Sequence, residues 1–170
     1  KQFTMFDDDE RLRINAFDWH AEFPHAFQDG GFDAVIGNPP YIRIQTLKET
    51  QPESIPYFSR HYQAASKGNY DIYVVFVEQA LRLLSSRGRM GYILPHKFFN
   101  AQYGQPLRKL IADGKHLSHV VHFGDQQVFA GATTYTCLLI LGQQPTQSIT
   151  VAKVSTLLDW QSTRVCKRGE

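Results

Sequence analysis

Asn38-Pro39-Pro40-Tyr41 constrains this 170-residue chain more than any other stretch of it. It follows an apolar run, Phe32-Asp33-Ala34-Val35-Ile36-Gly37, that reads as a buried strand. Pro40 fixes its own φ and pushes Pro39 out of the helical region, so the strand must end in a stiff turn. Neither proline has a backbone N–H, which leaves the carbonyls here as acceptors only. The amide oxygen of Asn38 is a further acceptor. Two acceptors aimed at one point suit an amino group with two hydrogens. Tyr41 offers a face on which a planar heterocycle can stack.

The rest of the chain alternates between elements. Arg11 to Phe17 has Leu12, Ile14 and Ala16 at period two, a short strand. Gln45 to Lys67, with Pro52 and Pro56, shows no clean period and reads as a long irregular loop. Asn69 suits the cap of a helix from about Tyr70, with Val74, Val77, Leu81 and Leu84 on one face and Gly88 as its stop. Met90 to Leu94 is a strand closed by Pro95. Leu107, Leu110 and Ile111 mark a helix that ends at Gly114. His119 to Phe123 and Thr136 to Leu141 are strands. A weaker strand, Ile149 to Val154, and a helical piece near Leu157 follow. This order predicts an α/β fold with a mostly parallel sheet and crossover helices. Ligands bind such sheets beyond the carboxyl ends of the strands, where Asp18, the Asn38 turn and Pro95 all fall.

Composition excludes little. A hydrophobic fraction of 42%, a charged fraction of 20% and a net charge of +2 describe an ordinary globular domain and permit, without requiring, a nucleic-acid partner. Cys137 and Cys166 are too few for a disulfide framework, and Cys137 sits in an apolar strand as a core residue. No signal peptide or membrane-spanning stretch is evident, so a cytoplasmic protein is the default expectation. His20 and His25 have no third ligand, and no metal is expected. Gly-x-Ser-x-Gly and P-loop signatures are missing.

Taken in order, the residues resemble the amino-methylating DNA adenine methyltransferases, in the variety found as the methylase domain of type IIG restriction–modification proteins. Gly31 to Ile42 is similar to their catalytic motif IV. Phe17-Asp18-Trp19-His20 resembles motif III, Tyr70 to Glu78 motif V and Gly88 to Pro95 motif VI. Val128-Phe129 with Thr133-Thr134-Tyr135-Thr136 resembles motif VIII. The resemblance covers roughly residues Asn15 to Leu141. It implies a Rossmann-like class I sheet and methyl transfer from S-adenosylmethionine to the exocyclic N6 of an adenine flipped out of double-stranded DNA. Asn38 and the Pro39 carbonyl, with Pro40 stiffening the turn, would accept the amino hydrogens. Tyr41 and Phe129 would stack on the base, and Asp18 and Phe76 would contact the cofactor's adenine. Asp18 equally suits a helix cap, and Phe76 and Phe129 suit plain core packing. Arg87, Arg89, Lys97 and Arg108 suit either phosphate contacts or a solvated face.

The glycine-rich turn that opens the cofactor site in this family is not evident. The chain is therefore expected to start after the first strands of the sheet. Residues 1–145 would be the catalytic part of a methyltransferase domain, and 146–170 an extension or the start of the next region. The parent protein would supply the N-terminal part of the domain and a target-recognition domain, and the piece alone is expected to be inactive. A protein-glutamine or RNA methyltransferase also fits the turn, as does a non-catalytic DNA-binding piece.

Overall fold

The computed structural model describes residues 17–129 and 135–157. The expected strand at Arg11 to Phe17 therefore lies outside the described residues except for Phe17, and the helical piece near Leu157 runs out of them. Two short helices, α1 (Trp19–Glu22) and α2 (Pro24–Gln28), lead into β1 (Phe32–Gly37). Then come α3 (Ile44–Thr50), α4 (Ser54–His61), α5 (Tyr73–Leu83) and β2 (Leu84–Pro95). They are followed by α6 (Gln105–Asp113), β3 (Leu117–His122), β4 (Thr136–Gly142) and β5 (Thr150–Lys153). Short 3-10 turns occupy Gln63–Ala65, His96–Phe99 and Gln102–Gly104.

The sheet has the order β1-β2-β4-β3-β5. β1 pairs parallel with β2, and β3 parallel with β5, while β4 is antiparallel to both β2 and β3. Four strands thus run one way and β4 alone is reversed, which makes the sheet mixed. The period-two pattern explains the core. Met90 and Leu94 of β2 and Cys137, Leu139 and Leu141 of β4 turn to one face and are fully buried. Each such aliphatic side chain contributes about 1.5–3 kcal/mol when withdrawn from water. Burial pushes the Cys137 thiol up to about 12, so it is an inert core group. α5 is buried almost all round, through Tyr73, Val74, Val77, Ala80 and Leu81.

Three local expectations are corrected. Gln45 to Lys67 contains α3 and α4 instead of an irregular loop. Ile55, Phe58 and Tyr62, at spacings of three and four, pack on the core, and Pro56 falls in the first turn of α4, where proline is tolerated. Asn69 does not cap α5. Its helix starts at Tyr73 because the preceding backbone is used elsewhere: the Tyr70 carbonyl accepts from the Ile44 amide at 2.9 Å, and the Ile72 amide donates to the Ile42 carbonyl at 2.8 Å. Gly88 does not stop that helix, which ends when Leu84 turns extended (φ −71°, ψ 142°). Gly88 instead lies inside β2, where the register against β1 slips between Phe32 and Ala34. A Cβ there would lie 2.5 Å from the Phe32 carbonyl oxygen, so the close strand approach requires glycine.

Candidate active site

The carboxyl ends of β1 and β2 place the Asn38 turn and Pro95 at one edge of the sheet. Gly37 of β1 pairs with Tyr92 of β2, so the chain leaves β1 directly into Asn38 while β2 continues to Pro95. Pro39 is buried, and Asn38 and Pro40 are exposed. The stiff part of the turn is thus anchored in the protein and the amide is left accessible.

Tyr41 is half-buried, and its hydroxyl donates to the Ile93 carbonyl of β2 at 3.1 Å. Its ring meets Tyr73 of α5 edge-on, with centroids 6.5 Å apart. Burial pushes the Tyr41 hydroxyl up to about 12, with a smaller push from Cys137, so it stays a proton donor at any working pH. Beyond Tyr41 the backbone is zipped to the segment before α5 by an antiparallel bridge between Arg43 and Asp71.

A cleft of about 620 Å³ opens at Tyr41, the last residue of this turn, and Asn38, Pro39 and Pro40 are not among its lining residues. Tyr41, Arg43 and Asp71 line it together with Pro95, His96, Lys97 and Tyr135. The His96 amide donates to the Tyr135 carbonyl at 3.2 Å, and the two rings lie nearly parallel, 6.2 Å apart. On its other side His96 packs on His122 at 4.2 Å, and its Nε2 is buried with no hydrogen-bond partner among the described residues. Desolvation, then the neighbouring His96 and Lys153, lowers the His122 pKa. Sequence reasoning overlooked Arg43 and His96. Their adjacency to the Asn38 turn and to Pro95 was the signal available.

Other expected residues lie elsewhere. Phe76 is 41% exposed on the mostly buried α5, so it is not a core residue. Asp18 caps α1: its Oδ1 accepts from the His20 amide at 3.0 Å and from the Ala21 amide at 3.3 Å. No hydrogen bond is made by its Oδ2 among the described residues. Phe129 is 37% exposed on the loop after β3 and does not line the cleft, where the aromatic ring from that region is Tyr135. Thr133 and Thr134 lie outside the described residues. Arg87 and Arg89 sit on the part of β2 away from the Asn38 turn, and Arg108 spends its guanidinium on the Phe98 and Ala101 carbonyls. Of the four cations weighed for phosphate contact, Lys97 alone lines the cleft. A more apolar cavity of about 430 Å³, between α6 and the strands at Leu117 and Leu139, takes in Arg108 and none of the other expected residues.

The family model described as Eco57I restriction-modification methylase matches residues 2–129. The chain is 36% identical over 129 residues to the type II restriction enzyme and methyltransferase RM.Eco57I of Escherichia coli, a match that covers 76% of this chain and 13% of that protein. It is 34% identical over 117 residues to the type II methyltransferase M.PaeR7I of Pseudomonas aeruginosa, covering 68% of this chain and 20% of that one. In three dimensions it resembles a Listeria monocytogenes protein assigned to the class I S-adenosylmethionine-dependent methyltransferases. The TM-score is 0.58 at 20% identity, over 79% of this chain and 40% of that one. The chain therefore spans a fifth or less of the length of these two curated relatives.

Proposed function

Because the chain belongs to the Eco57I restriction-modification methylase family, we propose that it carries the base-capturing half of a DNA adenine-N6 methyltransferase. The observation that carries this reading is the Asn38 turn itself. Buried Pro39 and exposed Asn38 stand at the sheet's carboxyl edge, with the Tyr41 ring held on the wall of a cleft.

In this reading the target adenine leaves the duplex, which costs a few kcal/mol, and enters that cleft. The Asn38 amide oxygen and the Pro39 carbonyl accept its two amino hydrogens. The nitrogen lone pair is then held out of conjugation with the ring and becomes nucleophilic. Stacking on Tyr41 offsets much of the extrusion cost at about 1–3 kcal/mol per base, and Phe129, outside the cleft, is kept as the second stacking ring on the family resemblance alone. Phe76 and the Asp18 carboxylate fit S-adenosylmethionine: an exposed aromatic on a core helix and an acceptor suit its adenine ring and amino group. Held there, S-adenosylmethionine supplies the methyl group. Alignment of the amine with that methyl is then the dominant contribution. Double-stranded DNA is the partner, and the rest of the full-length protein supplies the remaining cofactor contacts and target recognition. Membership of a restriction-modification family favours DNA over a glutamine side chain or RNA as acceptor.

The deciding experiment incubates the full-length protein with duplex DNA and S-adenosylmethionine labelled in its methyl group, then digests the DNA to nucleosides. Label in N6-methyladenine is expected. Label in N4-methylcytosine, or in protein alone, would overturn the adenine assignment.

A further expected result separates the Tyr41 ring from its hydroxyl. Tyr41→Phe forfeits only the bond to Ile93, worth about 0.5–1.5 kcal/mol. Tyr41→Ala removes the stacking face, so kcat/KM for DNA should fall about tenfold more in Tyr41→Ala than in Tyr41→Phe. Equal losses in the two variants would rule out stacking as Tyr41's contribution.

A further inference from the structure

The base platform is held by a chain of side-chain bonds that no step of the reading above uses. The Tyr103 hydroxyl donates to Asp71 Oδ2 at 3.2 Å. The Tyr73 and Tyr103 hydroxyls are 2.9 Å apart. Since Tyr103 commits its one hydrogen to the carboxylate, Tyr73 is the donor of that pair. Tyr73 in turn sets its ring edge-on against Tyr41, and the backbone of Asp71 bridges Arg43, two residues past Tyr41. The circuit Asp71–Tyr103–Tyr73–Tyr41 therefore ties the turn after β1 to the segment before α5 and to the 3-10 turn before α6.

Tyr103 is itself fixed. The next residue, Gly104, approaches the Phe98 carbonyl so closely that a Cβ would lie 2.1 Å from its oxygen. Arg108 clamps that same carbonyl and the Ala101 carbonyl, the latter at 2.8 Å. Burial is the main reason the Tyr103 hydroxyl is pushed up to about 12 and that of Tyr73 further still. Both remain hydrogen donors.

We infer that Asp71 and Tyr103 are positioning residues that set the pose of the Tyr41 ring through Tyr73 and the 42–44 backbone. This rests on the reading of Tyr41 as the platform for the extruded base. A hydroxyl-to-carboxylate bond is charge-assisted and stronger than a neutral one. It therefore fixes the Asp71 segment, and with it the 42–44 backbone, more firmly than the single bridge could.

The test uses the full-length protein with Tyr103→Phe, Asp71→Ala and Asp71→Asn. Three readouts are compared with wild type: turnover, fluorescence of a duplex with 2-aminopurine at the target position, and amide hydrogen exchange at Ile44 and Ile72. In Tyr103→Phe and Asp71→Ala, kcat should fall about tenfold and the fluorescence of the extruded base should drop. Exchange at Ile44 and Ile72 should quicken about tenfold while the amides shared by β2 and β4 keep their protection. S-adenosylmethionine affinity should stay within about twofold. Asp71→Asn retains an acceptor for Tyr103 and should recover part of each loss. Unchanged exchange at Ile44 and Ile72 in Tyr103→Phe would overturn the inference, whatever the enzyme methylates. A general loss of protection across β2 and β4 would also overturn it, because the residues would then serve the fold and not the platform. Wild-type protein that labels no adenine would count against the functional reading, while the exchange data would still decide the positioning role.

Discussion

Asn38→Ala in the full-length protein should reduce kcat about 10²–10³-fold, the scale seen when one preorganised polar group at a reacting centre is removed. The reason is geometric. Asn38 is exposed at the end of β1 and its side chain makes no hydrogen bond among the described residues, so its loss should change stability by no more than about 0.5 kcal/mol. The loss falls on one of two acceptors that hold the amine, and the Pro39 carbonyl cannot replace it because buried Pro39 is already fixed. S-adenosylmethionine affinity, read by calorimetry, should remain within about twofold. Asn38→Asp keeps an acceptor at the same place and should retain far more turnover than Asn38→Ala. Normal methylation by Asn38→Ala would remove this residue from the reaction.

Glu78→Ala should cost about 1–3 kcal/mol of folding stability, because it leaves the buried Ala64 amide without an acceptor. Glu78 lies on α5 and is only 3% exposed. Its carboxylate accepts from the Ala64 amide at 2.7 Å, from the Gln63 amide at 3.1 Å and from the Arg82 guanidinium at 2.5 Å. Arg82 also donates to the His61 carbonyl and lies over the Tyr62 ring, 4.6 Å from its centroid. Removing the carboxylate leaves two backbone donors with no acceptor and a cation without its partner. A domain is typically stable by only about 5–15 kcal/mol, so the urea midpoint should fall steeply. Glu78→Gln keeps one acceptor oxygen and should lose less. A midpoint within experimental error of wild type in Glu78→Ala would show that the α4 region is held by apolar packing alone.

Glu78 also explains what the sequence could and could not reveal. The strands were legible because Met90, Tyr92 and Leu94, or Cys137, Leu139 and Leu141, alternate in a way a half-buried strand requires. The Asn38 turn was legible because two prolines leave the backbone few choices. Gln45 to Lys67 was not legible. Much of what holds it belongs to α5, through Glu78 and Arg82, and such long-range bonds leave no local period. The start of α5 was misplaced for a related reason: Tyr70 and Ile72 look helical, but their backbone groups are claimed by Ile42 and Ile44. At the site, Asp71 was visible only as part of a motif, since its bond to Tyr103 joins residues 32 apart in sequence.

The outer side of β1 has a consequence for handling. Among the described residues no strand pairs with that side, and the neighbouring Ile36 side chain is 85% exposed. An open strand edge is a template for another strand, and proteins usually blunt it with lysine, proline or a bulge. Phe32–Gly37 carries the register slip between Phe32 and Ala34 and one charge, Asp33, whose carboxylate accepts from the Ser85 hydroxyl at 3.0 Å. This edge is where a further strand, from the rest of the full-length protein or from a second molecule, would add to the sheet, so a preparation of this piece alone is the one to keep dilute.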